Sequence, residues 1–319
     1  DAPGDPPPAS TRDPKVDGVA CSLRYENATL TQALTRGDGA RGDDVTHAIR
    51  TIKSLPLRLE AARSTGRRPV PPQAIPAILE IRGEVFIPLK EFARINAQRE
   101  ADGEELLINP RNACAGTIKN LDPKVAASRN LGFSAHGRGE VAPMPDGSPF
   151  ATTYWDFLQS IKSLGVPTNP HTTRAATLGD IMAAIHAFDT ARHTLDYATD
   201  GMVIRVDSFP RQDGLGVTSK SPRWILAFKY PPERKPTTLT AVEHQVGKTG
   251  KITPRATMLP VFLAGTTVTH ATLHNYGLIR QRDIRLHDTI EVEKAGEVIP
   301  YVVGPIIAKR ITDPRDPHA

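Results

Sequence analysis

Apolar and polar residues alternate near the start of the chain with the two-residue period of a β-strand. Every second residue from Val19 to Tyr25 is apolar and the residues between are small or polar, which predicts a strand with one buried face. Glu26-Asn27-Ala28 is typical of a hairpin turn, and residues 30–34 would form the returning strand. The first predicted unit of structure is therefore a β-hairpin.

Further along, strand-like runs are separated by segments with helical spacing. After Asp43-Asp44, apolar residues recur at helical spacing as far as Ile52, and Pro88 favours the start of another helix that would run to about Arg99. A glycine-containing loop and a short helix are expected within 109–122, and longer helices over about 152–164 and 178–192. Further strands are predicted over 78–87, 131–140, 201–206 and 224–230.

The pattern changes after Pro231-Pro232-Glu233, which resembles a linker. Short β-branched runs now alternate with glycine and proline, and a helix over 275–282 falls between the third and the fourth run. Five strands with one helix in this position suggest a small closed barrel of the oligonucleotide-binding (OB) type. The predicted strands are 239–246, 256–263, 266–270, 289–292 and 298–308.

Composition limits the classes of protein that fit. The 319 residues, 39% of them hydrophobic and 24% charged, suit one large or two ordinary globular domains. A net charge of +5 permits binding to nucleic acid without requiring it. Cys21 and Cys114 are too few for a disulfide framework or a four-cysteine zinc site, and they favour a reducing cytoplasm. Neither a membrane span nor a secretory signal is expected.

Lys15-Val16-Asp17-Gly18 is the segment from which the chemical argument begins. A lysine that attacks phosphorus must be held in place and must lose its proton, whereas a free lysine has a pKa of about 10.4. Neighbouring cations, burial or a metal ion would favour the neutral amine. Taken alone, the segment is more simply interpreted as a surface lysine beside a glycine turn, so its meaning depends on the motifs that follow.

Two glycine-containing motifs follow Lys15. In Thr35-Arg36-Gly37-Asp38-Gly39 the glycines let backbone approach a ligand and the arginine can hold a phosphate or a ribose hydroxyl, although an ordinary hairpin turn is an equal alternative. In the strand predicted over 78–87, Glu80, Arg82 and Glu84 share one face, which suits a metal-plus-ribose site. The alternative for these three residues is an ion pair on an edge strand.

Cations recur in the later motifs. Arg111 and Lys119 flank a glycine-containing turn and could bind phosphate through side chains and backbone N–H groups. Asp200 and Arg205 stand at opposite ends of an apolar strand. Lys229 lies between two aromatic residues on a strand that is expected to be buried, where a cation requires an anionic partner such as phosphate.

Together these motifs resemble those of the bacterial NAD-dependent DNA ligases. The resemblance runs from Asp13 to about Thr312, in the family's order and spacing. It implies an α+β fold: a nucleotidyltransferase (adenylation) domain with antiparallel sheets and helices, followed by an OB-fold barrel. The matching motifs are K-V-D-G, T-R-G-D-G, R-G-E-V-F, N-P-R-N-A, D-G-M-V-I, S-P-R-W with F-K-Y, Q-V-G-K-T-G, A-T-L-H-N and K-A-G-E-V-I-P.

The resemblance implies a role for each residue that would hold the nucleotide. Lys15 would be the nucleophile that takes AMP from NAD as a phosphoramidate. Arg36 and Glu84 would hold the ribose, and Lys229 would face the α-phosphate. His136 would stack on adenine, where many relatives carry tyrosine.

Other residues would hold phosphate, metal and DNA according to the same resemblance. Arg111 and Lys119 would contact the transferred phosphate or the DNA phosphate. Asp200 would help to place Mg²⁺ (or Mn²⁺). Lys248, in the predicted barrel, would contact DNA near the nick.

The adenine edge would be read by Asp13 and Arg205, the carboxylate facing the exocyclic amine and the cation facing a ring nitrogen. Many relatives carry glutamate and lysine at these two positions, so a shorter acid here faces a longer base. Many also carry arginine at Lys119 and Lys248, and Asn27-Ala28 replaces the usual Asn-Gly of the hairpin. A lysine lacks the fork geometry of arginine, so a weaker hold on phosphate is expected at Lys119.

Three regions are expected: a proline-rich disordered tail over 1–12, a nucleotidyltransferase domain over 13–232 and an OB-fold domain over 233–319. The family's nicotinamide-binding helical domain, the start of its nucleotidyltransferase domain, its zinc finger and its later recognition modules have no counterpart here. The chain is therefore expected to be truncated at both ends, and Zn²⁺, a cofactor of the full-length family, is not expected to bind it.

The implied activity is the sealing of nicks in double-stranded DNA, with NAD as the AMP donor and Mg²⁺ as cofactor, by a monomer in the cytoplasm and without a membrane partner. One alternative is a remnant that binds nucleotide or nicked DNA, or seals only nicks that already carry AMP. Another alternative is an ATP-using ligase or RNA-capping enzyme. It is the weaker one, because N-P-R-N-A and Q-V-G-K-T-G fit the NAD-dependent ligases.

Overall fold

The computed structural model describes residues 9–37, 41–60, 75–218, 221–247, 249–263, 266–295 and 299–310. The chain divides into two compact units, Asp1–Lys229 and Tyr230–Ala319. In chain order the strands are β1 Ser10–Val16, β2 Val19–Glu26, β3 Thr29–Thr35, β4 Ile78–Phe86, β5 Gly132–Val141, β6 Thr173–Ala175, β7 Thr199–Val206, β8 Ile225–Phe228, β9 Arg234–Val246, β10 Ile252–Leu263, β11 Thr266–Thr272, β12 Thr289–Ala295 and β13 Ile299–Pro305. The α-helices are α1 Thr46–Ile49, α2 Leu89–Ala101, α3 Pro110–Ile118, α4 Pro123–Ala127, α5 Tyr154–Ser163, α6 Leu178–Ala191, α7 Phe209–Leu215 and α8 Tyr276–Gln281.

The first unit contains two antiparallel sheets. One, called the nucleophile sheet below because β1 carries Lys15, the predicted nucleophile, has the order β6-β1-β7-β8. The other, called the apolar sheet, has the order β3-β2-β4-β5. Together with the closed barrel of the second unit, these sheets confirm the predicted α+β fold class.

The apolar sheet carries most of the hydrophobic core of the first unit. The alternation predicted from Val19 to Tyr25 is borne out from Cys21 onward, because Cys21, Leu23 and Tyr25 are buried while Ser22 and Arg24 between them are partly exposed. Residues from β2 to β5 form one cluster with buried residues of α2, α3 and α5. At the hairpin, Asn27 and Ala28 both have positive φ, 47° and 64°. A left-handed alanine is strained, as expected where Ala28 replaces the more usual glycine.

The prediction of a disordered tail over 1–12 was wrong for its last three residues. Ser10, Thr11 and Arg12 belong to β1, are buried, and pair with both β6 and β7. Their partners lie about 160 to 200 residues further along the chain, so local composition carried no sign of the pairing. Residues 1–8 lie outside the described part of the chain.

The helices lie where the periodicity predicts them, except that one is shorter than predicted and that some short helices and one short strand were not predicted. The helix expected after Asp43-Asp44 is a single turn, α1, and Ile52 is buried in the turns that follow it. The short segments α4, β6 and α7 were not predicted, because three to seven residues give too few repeats for a periodic signal. Among the described residues, no helix combines the length and apolarity needed to cross a membrane.

The second unit is a closed five-stranded barrel with the order β10-β11-β13-β12-β9. Helix α8 lies between the third and the fourth of its strands, as predicted. Strand β9 begins at Arg234, five residues before the predicted start, because its first half pairs with β12 while its second half pairs with β10. The interior of the barrel is filled by Leu239, Ala256, Met258, Leu263, Val268, Ala271, Leu273, Ile290, Val292 and Val302.

Candidate active site

Lys15 lies on β1, an inner strand of the nucleophile sheet. Its partner across the sheet is Gly201 of β7, and the register shifts immediately after Lys15. A Cβ atom at Gly201 would come within 2.1 Å of the carbonyl oxygen of Phe228 on β8, so the close approach of the two strands requires glycine there. The strand pairing therefore brings the lysine beside Asp200 and the end of β8.

The Lys15 ammonium group contacts both oxygens of the Asp200 carboxylate. The distances from Nζ to Oδ1 and Oδ2 are 2.8 and 2.9 Å, and Lys229 Nζ lies 3.3 Å from Oδ2. The side chains of Lys15 and Asp200 are 28% and 13% exposed, so this pair is largely shielded from water. Two cations thus converge on one carboxylate at the end of the strand that carries Lys15.

Asp13, two residues before Lys15, is the centre of a second cluster. Its carboxylate accepts hydrogen bonds from the hydroxyls of Thr172 (2.7 Å) and Tyr154 (2.9 Å), and Arg205 Nη2 lies 3.2 Å from Oδ2. Arg205 Nη1 donates to the backbone carbonyl of His136 at 2.7 Å. The side chains of Asp13 and Arg205 are only 5% and 6% exposed, so this is a buried ion pair whose hydrogen bonds offset part of its desolvation.

Arg111 reaches the same region from α3. Asn109 caps this helix by accepting from the backbone N–H groups of Arg111 and Asn112, and Pro110 is its first residue. Arg111 Nη1 donates to Asp17 Oδ1 at 2.8 Å. Burial acts to lower the pKa of Arg111, but this hydrogen bond and the nearby charges of Asp17, Glu84 and Asp200 raise it above its ordinary value. Three carboxylates therefore lie close to the guanidinium.

The remaining predicted residues lie around this centre. Glu84 Oε2 is 3.5 Å from His136 Nε2, and Lys119 Nζ is 2.7 Å from Asp43 Oδ2. Glu80 and Arg82 form a 3.6 Å ion pair with each other, as in the structural alternative, but β4 is an inner strand and not the expected edge strand.

A cavity of about 830 Å³ joins most of these side chains. A Cβ atom at Gly18 would lie 2.2 Å from the carbonyl oxygen of Val85, so glycine lets the backbone close the cavity wall there. Asp200 and Lys229 do not line the cavity: Asp200 contacts Lys15 on its wall, and Lys229 contacts Asp200. The prediction of a buried strand around Lys229 was wrong, because β8 ends at Phe228 and the Lys229 side chain is 57% exposed. The predicted residues on its wall are Asp13, Lys15, Arg36, Glu84, Arg111, Lys119, His136 and Arg205.

Lys248, the predicted DNA contact in the barrel, lies outside the described residues. Four residues that the sequence did not assign to the site are also present: Asp17, Asn169, Tyr154 and Thr172. Asp17 was visible within K-V-D-G, whereas Tyr154 reads as an apolar residue of an amphipathic helix and carried no separate signal.

Groups that would hold a dinucleotide are present in the cavity, whereas those for a metal are sparse. Cations suited to phosphate and the carboxylate of Glu84, suited to a hydroxyl, all line it. Within the described ranges no three His, Cys, Asp or Glu residues are grouped to hold a metal ion. Both Asp200 oxygens face lysine ammonium groups, so Mg²⁺ would fit there only with phosphate oxygens as further ligands and with a lysine displaced.

The two cysteines do not form a metal site. Both are free and buried in the core of the apolar sheet. Burial, and then the charge of Glu84, raise the pKa of Cys21 to about 12, and the same two causes raise the pKa of Cys114. Both therefore act as small apolar residues.

Comparison with known proteins assigns the chain to a family. The profile of the NAD-dependent DNA ligase adenylation domain matches residues 7–233, and that of the NAD-dependent DNA ligase OB-fold domain matches residues 236–314. The chain is 46% identical over 303 residues to a DNA ligase of Akkermansia muciniphila, a match that covers 95% of this chain and 36% of the relative.

Two further relatives give the same result. DNA ligase 1 of Opitutus terrae is 48% identical over 298 residues, which are 93% of this chain and 42% of the relative. A DNA ligase of Gloeobacter violaceus is 45% identical over 293 residues, which are 91% of this chain and 40% of the relative. The chain thus spans about two fifths of the length of the curated relatives it matches. It belongs to the NAD-dependent DNA ligase family, and it contains that family's adenylation and OB-fold domains.

Proposed function

We propose that this chain carries the catalytic core of an NAD-dependent DNA ligase, which seals nicks in double-stranded DNA through an AMP-bearing Lys15. The observation that supports this proposal best is the position of Lys15: its amine lies on the wall of a cavity lined by cations and is in direct contact with a carboxylate. Family membership and the printed names of the relatives agree with it.

NAD is a substrate that this reaction consumes. In the first step the Lys15 nitrogen forms a bond to the adenylyl phosphorus, and the bond from that phosphorus to the oxygen of nicotinamide mononucleotide breaks. The lysine must give up a proton for this attack, and the Asp200 carboxylate, at 2.8 and 2.9 Å, is the nearest acceptor. Arg36, Arg111 and Lys119 would neutralise charge on the phosphates.

Two further transfers complete the sealing. AMP passes from Lys15 to the 5′-phosphate at the nick, and the 3′-hydroxyl then attacks that phosphate and releases AMP. A magnesium ion held by Asp200 and phosphate oxygens would draw electron density from phosphorus. The barrel would contact the DNA backbone without reading sequence, so DNA binding should weaken as salt is raised.

Glu84 and His136 are proposed to hold the nucleoside. The Glu84 carboxylate can accept from a ribose hydroxyl, and the imidazole of His136, 40% exposed on the cavity wall, offers a face to adenine. Lys229 reaches the α-phosphate once its contact with Asp200 is exchanged for one with the nucleotide.

The decisive experiment incubates the chain with Mg²⁺ and with NAD that carries label in its AMP half. We expect covalent label in the wild type and none in Lys15→Ala. The control is Lys53→Ala, which removes an exposed lysine outside the Lys15 motif and should label normally. Label that persisted in Lys15→Ala would refute the proposed nucleophile.

Two further arms separate the alternatives. Label from ATP in place of NAD would favour an ATP-using enzyme. If neither nucleotide gives label, nicked DNA that already carries AMP on its 5′-phosphate is offered. Sealing of that substrate would mean that only the NAD step is missing, and failure to seal it would favour a nucleotide- or nick-binding role without catalysis.

A further inference from the structure

Tyr154 is a buried residue that contacts two residues on the cavity wall. It is the first residue of α5, is 1% exposed, and is held in the core of the first unit. Burial raises the pKa of its phenol well above the ordinary value, although the nearby Arg205 guanidinium acts in the opposite direction. The phenol therefore stays protonated and acts as a hydrogen-bond donor.

The hydroxyl of Tyr154 helps to fix the Asp13 carboxylate. An ionised carboxylate offers about four acceptor positions. In Asp13 two of them accept hydrogen bonds, from Tyr154 on Oδ2 and from Thr172 on Oδ1, and Arg205 Nη2 forms an ion pair with Oδ2 at 3.2 Å. Asp13 also lines the cavity, so an acceptor position remains for a ligand there.

The ring of Tyr154 supports the other member of the pair. The centre of the Arg205 guanidinium lies 3.9 Å from the ring centroid, a stacked cation–π contact. Arg205 Nη1 donates a hydrogen bond to the backbone carbonyl of His136, which also helps to hold the guanidinium in place. One tyrosine therefore positions both the acid and the base that face the cavity.

We propose that Tyr154 is a positioning residue that makes this cavity select a 6-aminopurine over a 6-oxopurine. The inference rests on the proposed function, because it assumes that a purine nucleotide occupies the cavity. The free acceptor position of Asp13 can take an N–H of a 6-amino group, whereas a 6-oxo group would face the carboxylate as a second acceptor. Without the phenol hydroxyl, Asp13 keeps only the side-chain hydrogen bond from Thr172 and can turn toward Arg205 and away from the ligand.

The test compares binding of AMP and of inosine 5′-monophosphate (IMP) to the full chain, so it does not depend on any step of the NAD reaction. Wild type should bind AMP more tightly than IMP. Tyr154→Phe keeps the ring under Arg205 but removes the hydroxyl, and it should reduce the AMP-to-IMP affinity ratio by about tenfold, mainly through weaker binding of AMP.

Tyr25→Phe is a matched control. Tyr25 is also completely buried, and its hydroxyl donates to the carbonyl of Pro56 at 2.8 Å, away from the cavity. A merely structural effect would lower the affinity for both nucleotides in either variant and leave the ratio unchanged. An unchanged ratio in Tyr154→Phe, or an equal loss in Tyr25→Phe, would overturn the inference.

A second variant and a kinetic measurement protect the test against loss of folding. Thr172→Val removes the donor to the other oxygen of Asp13 and should also lower the ratio. With labelled NAD, Tyr154→Phe should raise KM and leave kcat nearly unchanged, because the contact between Lys15 and Asp200 is intact. If wild type bound neither nucleotide, the proposed function would fail too; if wild type prefers AMP and both variants keep the full preference, only the role of Tyr154 fails.

Discussion

The two sheets of the first unit have the same number of strands but bury different kinds of residues. Most buried residues of the apolar sheet, such as Leu23, Ile81 and Val85, are hydrophobic and belong to one large core cluster, and Thr35 and Ser134 are the buried polar residues on its described strands. In the nucleophile sheet, many of the buried residues are polar or charged, among them Asp13 and Arg205. The members of that polar set on its strands are Ser10, Thr11, Arg12, Asp13, Thr199 and Arg205.

This difference indicates that the apolar sheet mainly contributes stability, whereas the nucleophile sheet mainly positions the groups of the candidate site. Burial of apolar surface stabilises the apolar sheet without directional requirements, at about 25 cal/mol per Å². The nucleophile sheet depends on directional contacts, which fix the position of polar groups but contribute less net free energy for each contact. Substitutions in the two sheets should therefore separate loss of stability from loss of function.

The largest effect is expected in the apolar sheet. Leu23→Ala removes a completely buried side chain from the middle of β2 and should lower the free energy of unfolding by about 2–5 kcal/mol. Leu226→Ala, at a residue 66% exposed on β8 of the nucleophile sheet, should change it by about 0.5 kcal/mol or less. Urea denaturation measures both, and equal costs would contradict the proposed division.

Asp200→Asn, in contrast, should impair the reaction much more than it impairs stability. It removes the charge that both Lys15 and Lys229 contact, so labelling of Lys15 from NAD should slow by on the order of a hundredfold. The unfolding midpoint should change little. Glu140→Gln removes a carboxylate of the apolar sheet that pairs with Arg24, and it should label at the wild-type rate. Normal labelling by Asp200→Asn would exclude Asp200 from the reaction.

Thr11→Val tests whether hydrogen bonds hold the nucleophile sheet together. Thr11 is completely buried on β1, and its hydroxyl donates to Asp207 Oδ1 at 2.7 Å. The substitution keeps the shape but leaves a buried carboxylate with one donor fewer, so it should cost about 2 kcal/mol of stability. Thr11→Ser, which retains the hydroxyl, should cost clearly less. Chemical denaturation of the two variants decides this, and equal stabilities would show that the hydroxyl contributes little.

The smallest effect concerns a polar contact beside the apolar core. Hydrogen bonds from Arg94, opposed by burial, hold the pKa of Glu91 below its ordinary value. Because the folded pKa is the lower one, the resulting stabilisation is present above the unfolded pKa of about 4.3 and is lost as the pH falls through the folded value. Glu91→Gln should therefore cost about 1 kcal/mol at pH 7 and progressively less below about pH 4.

Unfolding measured as a function of pH checks this expectation. Arg94→Met, which removes the partner instead, should show the same trend with pH. A cost of Glu91→Gln that grew toward acid pH would have the wrong sign and would contradict the assignment.

The longer elements could be predicted because their signals are local. Alternation identified β2, and helical spacing identified α5 and α6 to within about two residues. The single turn α1 was predicted too long, since the same apolar spacing also occurs where turns bury Ile52. Strand β6 has three residues, and its place at the sheet edge depends on pairing with β1.

The candidate site was predicted residue by residue, but not its internal contacts. The motifs supplied Lys15, Asp200 and Lys229, whereas the sharing of one carboxylate by two lysines appears only in the folded chain. The sequence suggested that Asp13 reads a base. The structure adds that the carboxylate accepts hydrogen bonds from Tyr154 and Thr172 and forms an ion pair with Arg205.

By itself the sequence determined the fold class, the order of most elements and the family, because periodicity and motif spacing are properties of the linear chain. Only the tertiary structure decided which charges meet. Lys15 and Asp200 are 185 residues apart, and Tyr154 and Asp13 are 141 apart. Contacts over such separations arise from strand pairing and packing between elements, and these leave no repeat in the sequence from which the partners could be found.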